Sequence, residues 1–267
     1  MSRFHSAAAG IDHLERLSYG DSPVHRLSPG VKTAVTLVFL VLAISFPSEN
    51  LSGLVPFLLY PACMMSLSGT PYRPLLARLV VAFPFALFGG LSNLLFMRET
   101  AFSLGGFAVS RGLVSFASIM LKTLLCVLAV LILMATTPFN EVCALLTRRR
   151  GLAVIGLQLS LTYRYIDVLL GEAQRMWTAY ALRAPGAKAV RIADMGSFLG
   201  QLLLRSFDRA ERVYNAMKCR GFAGRYHTRK RRPLRPSDMA FLVGISAALT
   251  LMRFFNVSLL IGRAVKL

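Results

Sequence analysis

The chain has 267 residues, 55% hydrophobic and only 16% charged, with a mean hydropathy of +0.57. Ordinary soluble domains carry roughly 25% charged residues, so the composition excludes that class and points to an integral membrane protein. The net charge of +19 comes from 31 Lys and Arg against 12 Asp and Glu. No base-stacking aromatics and no known module accompany it, which argues against nucleic-acid binding.

In chain order, residues 1–32 form a mixed-charge lead-in. Arg3, Arg16 and Arg26 alternate with Asp12, Glu15 and Asp21, unlike a secretory signal, and the segment is read as retained and cytosolic. Its histidines His5, His13 and His25 are 8 and 12 residues apart and share no helical face. With His227 they are read as surface residues. Cys63, Cys126, Cys143 and Cys219 lack the close spacing of a metal knuckle or redox pair, so no metal site or cofactor is expected.

Charge-free runs then cover 33–48, 50–72 and 79–97; 112–140 contains only Lys122, and 239–262 only Arg253. A span needs about 20 apolar residues, and four of these five stretches reach that length. The first is short and meets the second at "PSEN", which predicts a tight hairpin. Basic residues alternate in sidedness across the loops and place the N-terminus in the cytosol. The expected fold is therefore an all-α bundle of about five transmembrane helices. A partial span over 152–161 would make six and return the C-terminus to the cytosol. Pro56, Pro61, Pro84, Gly89 and Gly90 should bend the second and third spans. Lys122 lies about ten residues into its span, where a snorkelling or structural contact outweighs a transport role.

These boundaries divide the chain into the 1–32 lead-in, a 33–137 four-span region, a 138–236 cytosolic region and a 237–267 C-terminal transmembrane helix. Nineteen of the Lys and Arg residues fall within 138–236, against six Asp and Glu. Two amphipathic helices are predicted there. Leu159, Thr162, Ile166, Leu169, Ala173, Met176 and Tyr180 line one face of the first. In the second, Phe198, Leu202, Ser206, Ala210, Val213 and Met217 form a similar stripe opposite Arg205, Asp208, Arg209, Glu211 and Arg212. Asp208 and Arg212 are spaced for an i,i+4 pair. Glu141, Asp167 and Glu172 read as scattered surface charges.

Both helices stop beside an arginine. Leu182-Arg183-Ala184 runs into Pro185-Gly186, and Cys219-Arg220-Gly221 ends on glycine. Proline cannot continue a helix, glycine takes up the left-handed cap, and a cation suits the negative helix end. Capping alone does not account for two arginine-tipped helices 37 residues apart between membrane spans. Such a pair suits docking into an acidic groove.

With these motifs, the chain resembles the transmembrane T components of energy-coupling-factor (ECF) ABC transporters, most closely the cobalt-type CbiQ branch. The likeness rests on "HRLSPGVK", "TTPFNEVCALL", "LSLTYRYIDVLLGEAQRM", "AYALRA" and "GSFLGQLLLRSFDRAERVYNAMKCRGFAG". It implies that Arg183 and Arg220 are the arginines of two coupling triplets, flanked by Leu182, Ala184, Cys219 and Gly221. It also implies two ABC ATPase subunits that receive these helices, and a separate CbiM-like substrate-binding membrane subunit in the inner (cytoplasmic) membrane. The T component itself would be non-catalytic, consistent with the absence of a phosphate-binding G-x-x-x-x-G-K-[ST] sequence. Cobalt is the favoured substrate, ahead of nickel, biotin or another vitamin. A self-sufficient permease and a membrane-embedded enzyme are the competing classes. The first triplet departs from the family's Ala-Arg-Gly pattern by Leu-Arg-Ala followed by proline, and the second by Cys219.

Overall fold

The computed structural model describes residues 17–47, 51–96, 100–104, 107–148, 151–186, 189–224 and 235–254. In chain order its elements are α1 (Pro29–Ile44), α2 (Leu51–Leu54), a 3-10 turn (Val55–Leu58), α3 (Leu59–Ser68) and α4 (Tyr72–Phe96). There follow β1 (Thr100–Leu104), β2 (Phe107–Ser110), α5 (Arg111–Thr136), α6 (Phe139–Thr147), α7 (Ala153–Arg183), α8 (Ile192–Cys219) and α9 (Pro236–Phe254). Contacts group them into two compact units, one drawn from Leu14–Pro138 and Arg232–Leu267, the other from Phe139–Arg231.

Among the described residues, four helices are long and apolar enough to cross a membrane: Tyr72–Leu94, Arg111–Thr136, Ala153–Arg183 and Pro236–Phe254. Two shorter apolar helices, Pro29–Ile44 and Val55–Ser68, accompany them. This is a helical membrane protein, as the charge-free runs predict. A small antiparallel β1–β2 hairpin, which hydropathy does not reveal, joins α4 to α5.

In the first unit, Pro29 opens α1 at a position where its missing N–H costs nothing. Gly69, at φ 63°, closes α3, and the Ser110 hydroxyl accepts the Leu113 N–H to cap α5. Val35, Phe39, Leu54, Phe57, Leu125 and Ile132 are fully buried around one core. Phe39 stacks on Tyr60 at 4.5 Å between ring centres, and Phe57 meets Phe46 edge-on at 5.1 Å. At Gly90 a Cβ would lie 2.7 Å from the Phe116 ring, so glycine lets α4 and α5 close together.

Four charged groups in this unit are tied to helix ends. Lys32, 2% exposed, donates to the Thr136 carbonyl at 2.6 Å, where the end of α5 favours a cation. Asp238, 4% exposed, accepts the Arg235 N–H at 3.1 Å and the Ser28 N–H at 3.4 Å. Lys122 donates to the Phe46 carbonyl just past α1. Arg253 donates to the Ser45 carbonyl at 3.1 Å and lies 4.4 Å over the Phe46 ring. Lys122 thus makes a structural contact between α5 and the end of α1.

Three boundaries differ from the hydropathy reading. Helix α4 begins at Tyr72 rather than near 79 and takes in Arg73 and Arg78, with Pro84 inside it. Long arginines can reach away from the apolar part of such a helix. A 3-10 turn bearing Pro56 interrupts the second run. Residues 153–161 open the continuous 31-residue α7, and that whole helix is long and apolar enough to cross a membrane. The "PSEN" turn beyond Pro47 and the run after Phe254 lie outside the described residues.

Candidate functional site

The second unit holds α6, α7 and α8. A Cβ at Gly156 would come within 2.5 Å of the Thr147 nitrogen, so glycine permits α6 and α7 to touch there. The Phe139 and Tyr163 rings pack at 4.8 Å across the same pair. Further along α7, Ala173 and Trp177 are buried, while Leu159 and Ile166 from the predicted stripe stay partly open. In α8 no residue is fully buried. Phe198, Leu202, Ser206, Val213 and Met217 are half-buried, whereas Leu199, Leu203, Phe207 and Tyr214 are exposed.

Arg183 is the last residue of α7, and Ala184 follows as its C-cap with its N–H on the Tyr180 carbonyl at 2.9 Å. Pro185 and then Gly186, at φ 87°, turn the chain away. Arg183 and its neighbour Leu182 are exposed. The end of α8 is built differently. Arg220 is the C-cap, and Gly221 takes φ 78°. The Gly221 N–H reaches the Lys218 carbonyl at 2.9 Å, and the Phe222 N–H reaches the Met217 carbonyl at 3.0 Å. This bond pair defines a Schellman motif, which satisfies carbonyls the helix would otherwise leave open. Cys219, Arg220 and Gly221 are all exposed, and Cys219 is a free thiol. The six predicted residues therefore sit at two exposed helix ends of one unit. Among the described residues, neither Arg183 nor Arg220 forms an ion pair.

Between α7 and α8 lies an open cleft of about 510 Å³ lined by Arg175, Tyr180, Arg183, Asp194, Phe198 and Arg205, among others. Two polar ties cross it. Glu172, with its side chain 17% exposed, accepts from Arg175 one turn along its own helix and from Arg205 of α8. Nearer the connection, the Tyr180 hydroxyl donates to the Asp194 carboxylate at 2.7 Å and accepts the Arg191 N–H at 3.4 Å. Asp194 sits in the first turn of α8, where the helix dipole favours an anion.

Glu172 is thus a bridge, not the scattered surface charge that sequence reading suggests. Among the described residues the expected Asp208–Arg212 pair does not form, and the ion pair from α8 is made by Arg205. Only the Glu172–Arg175 spacing was visible in the sequence; the partner 33 residues away was not. The described residues contain no group of three His, Cys, Asp or Glu able to hold a metal ion. His25 bonds locally to Ser22 and to the Leu17 carbonyl, and the other three histidines lie outside the described residues.

These features define a class: a multi-pass helical membrane protein carrying a tied pair of amphipathic helices with exposed basic ends. Residues 20–231 match the CbiQ family, described as cobalt transport protein, and the chain belongs to that family. It is 29% identical over 251 residues to the energy-coupling factor transporter transmembrane protein EcfT of Heliobacterium modesticaldum, covering 87% of this chain and 92% of that one. The EcfT proteins of Leuconostoc gelidum and Bacillus subtilis are each 28% identical, covering 76% and 77% of this chain and 81% and 82% of theirs.

Proposed function

We propose that this chain is the coupling subunit of an ECF-type uptake transporter. Its helices α7 and α8 seat Arg183 and Arg220 in grooves of two ABC ATPase subunits. The observation that carries this reading is the pair of helices, in a CbiQ-family chain, that each end on an exposed arginine without an ion-pair partner among the described residues. An arginine so placed can form charge-assisted, two-pronged bonds with carboxylates, which are directional enough to transmit force. Leu182, Ala184, Cys219 and Gly221 shape the two ends around the arginines. ATP binding and hydrolysis occur in the ATPases. The α7–α8 pair carries their motion to the membrane helices and to a CbiM-like substrate-binding subunit, which reorients in the bilayer.

In this reading 33–137 and 237–267 lie in the inner membrane and the 1–32 lead-in is cytosolic. The 138–236 region is cytosolic at its two arginine-bearing helix ends, while α7 is long and apolar enough to enter the membrane with its opening turns. Cobalt is the proposed substrate, on the strength of the family's description; the EcfT relatives bear the transporter's name without a metal. The test is uptake by the complex of this chain with its ATPase and substrate-binding subunits in vesicles. ATP-dependent cobalt accumulation above that of nickel or biotin is the expected result. Preference for nickel or a vitamin overturns the cobalt assignment, and uptake by this chain alone overturns the coupling role.

A further inference from the structure

We infer that Glu172, Arg205, Tyr180 and Asp194 are positioning residues that lock α7 and α8 at a fixed angle, so that the two arginine ends move as one body. The inference rests on the coupling role above and adds what makes that role mechanically effective. One polar tie between two helices leaves a hinge; two separated ties remove it. On α7, Glu172 and Tyr180 are eight residues apart, about 12 Å at the helical rise of 1.5 Å per residue. On α8, Asp194 and Arg205 are eleven residues apart, about 16 Å on the same basis. The order is antiparallel: Tyr180 meets Asp194 near the connection, and Glu172 meets Arg205 farther out.

The ties hold the two ends with unequal leverage. Arg183 lies three residues past Tyr180, about 4.5 Å along α7. Arg220 lies fifteen residues past Arg205, about 22 Å along α8. An angular play of about 10° at Arg205 would therefore carry the end of α8 through about 4 Å, more than a hydrogen bond tolerates. Apolar packing adds less stiffness here, because the apolar residues of α8 are at most half-buried. Ion pairs this open to solvent add little to stability, so breaking the tie should leave the fold standing and its effect is read as a change in orientation.

The test places spin labels at Cys219 and at Leu182→Cys in the full chain, with the other three cysteines replaced, and measures their separation in nanodiscs. A narrow distance distribution is expected for the parent. Glu172→Arg should broaden it, and Glu172→Arg with Arg205→Glu should narrow it again. In the assembled transporter, the single change should lower substrate moved per ATP hydrolysed several-fold, and the reversed pair should restore it. An unchanged distribution in Glu172→Arg, or a reversed pair that fails to restore it, overturns the inference. If Glu172→Arg prevents assembly, Glu172→Gln and Tyr180→Phe are read by the distance distribution alone, with the same two outcomes. That measurement needs no ATPase, so the ties can fail while the coupling role stands, and the reverse.

Discussion

Helices α7 and α8 both end on an exposed arginine, yet they stop by different means. Helix α8 ends in a Schellman motif in which Gly221 adopts a left-handed conformation and two backbone bonds close the last turn. Helix α7 ends because Pro185 cannot extend it, with one i−4 bond from Ala184 and a left-handed Gly186 two residues later. The first kind of ending depends on one glycine. The second depends mainly on a proline ring, and its glycine only redirects the chain. The proposed coupling role therefore does not require equivalent caps, and the two ends should respond unequally to the same substitution.

Glycine replacement should expose that difference most strongly. Nothing lies within 4 Å of a Cβ at Gly221 or Gly186, so any effect must come from backbone conformation rather than a clash. Gly221→Val should cost about 1–2 kcal/mol in the left-handed region and unravel the last turn of α8. ATPase affinity should fall by about tenfold, one decade per 1.4 kcal/mol. Gly186→Val should have a smaller effect, because Pro185 still ends α7 before it. Binding measurements on the two variants check the order; equal losses would erase the distinction between the ends. The smallest effect is expected at Cys219→Ala. This exposed position should change thermal stability by no more than about 0.5 kcal/mol and weaken ATPase capture only slightly, because its side chain flanks the proposed contact rather than making it.

The same contrast separates what the sequence discloses from what it withholds. Chain-local signals were legible. Apolar runs gave α1, α4, α5 and α9 their approximate places, and Pro185 and Gly221 marked two helix ends, because a span or a cap depends on residues near one another. The Glu172–Arg205 tie was not legible, since an i,i+4 search examines one helix and these partners lie 33 residues apart on two. The seven-residue extension of α4 through Arg73 and Arg78 was hidden for a different reason. A charge ends an apolar run on a hydropathy scale, although it need not end a helix. Lys122 and Arg253 show the same limit: the sequence shows two cations in apolar helices, and only the fold brings both to the carbonyl end of α1.

The proposed function makes Arg183 and Arg220 the docking points for the ATPase subunits. It is tested most directly by co-purification of the ATPases with the membrane-extracted chain, parent against Arg183→Glu/Arg220→Glu. Both changes lie at exposed helix ends, so the doubly reversed chain should reach the membrane in parental amounts. It should capture little or no ATPase. Capture at the parental level would rule out docking through these two arginines.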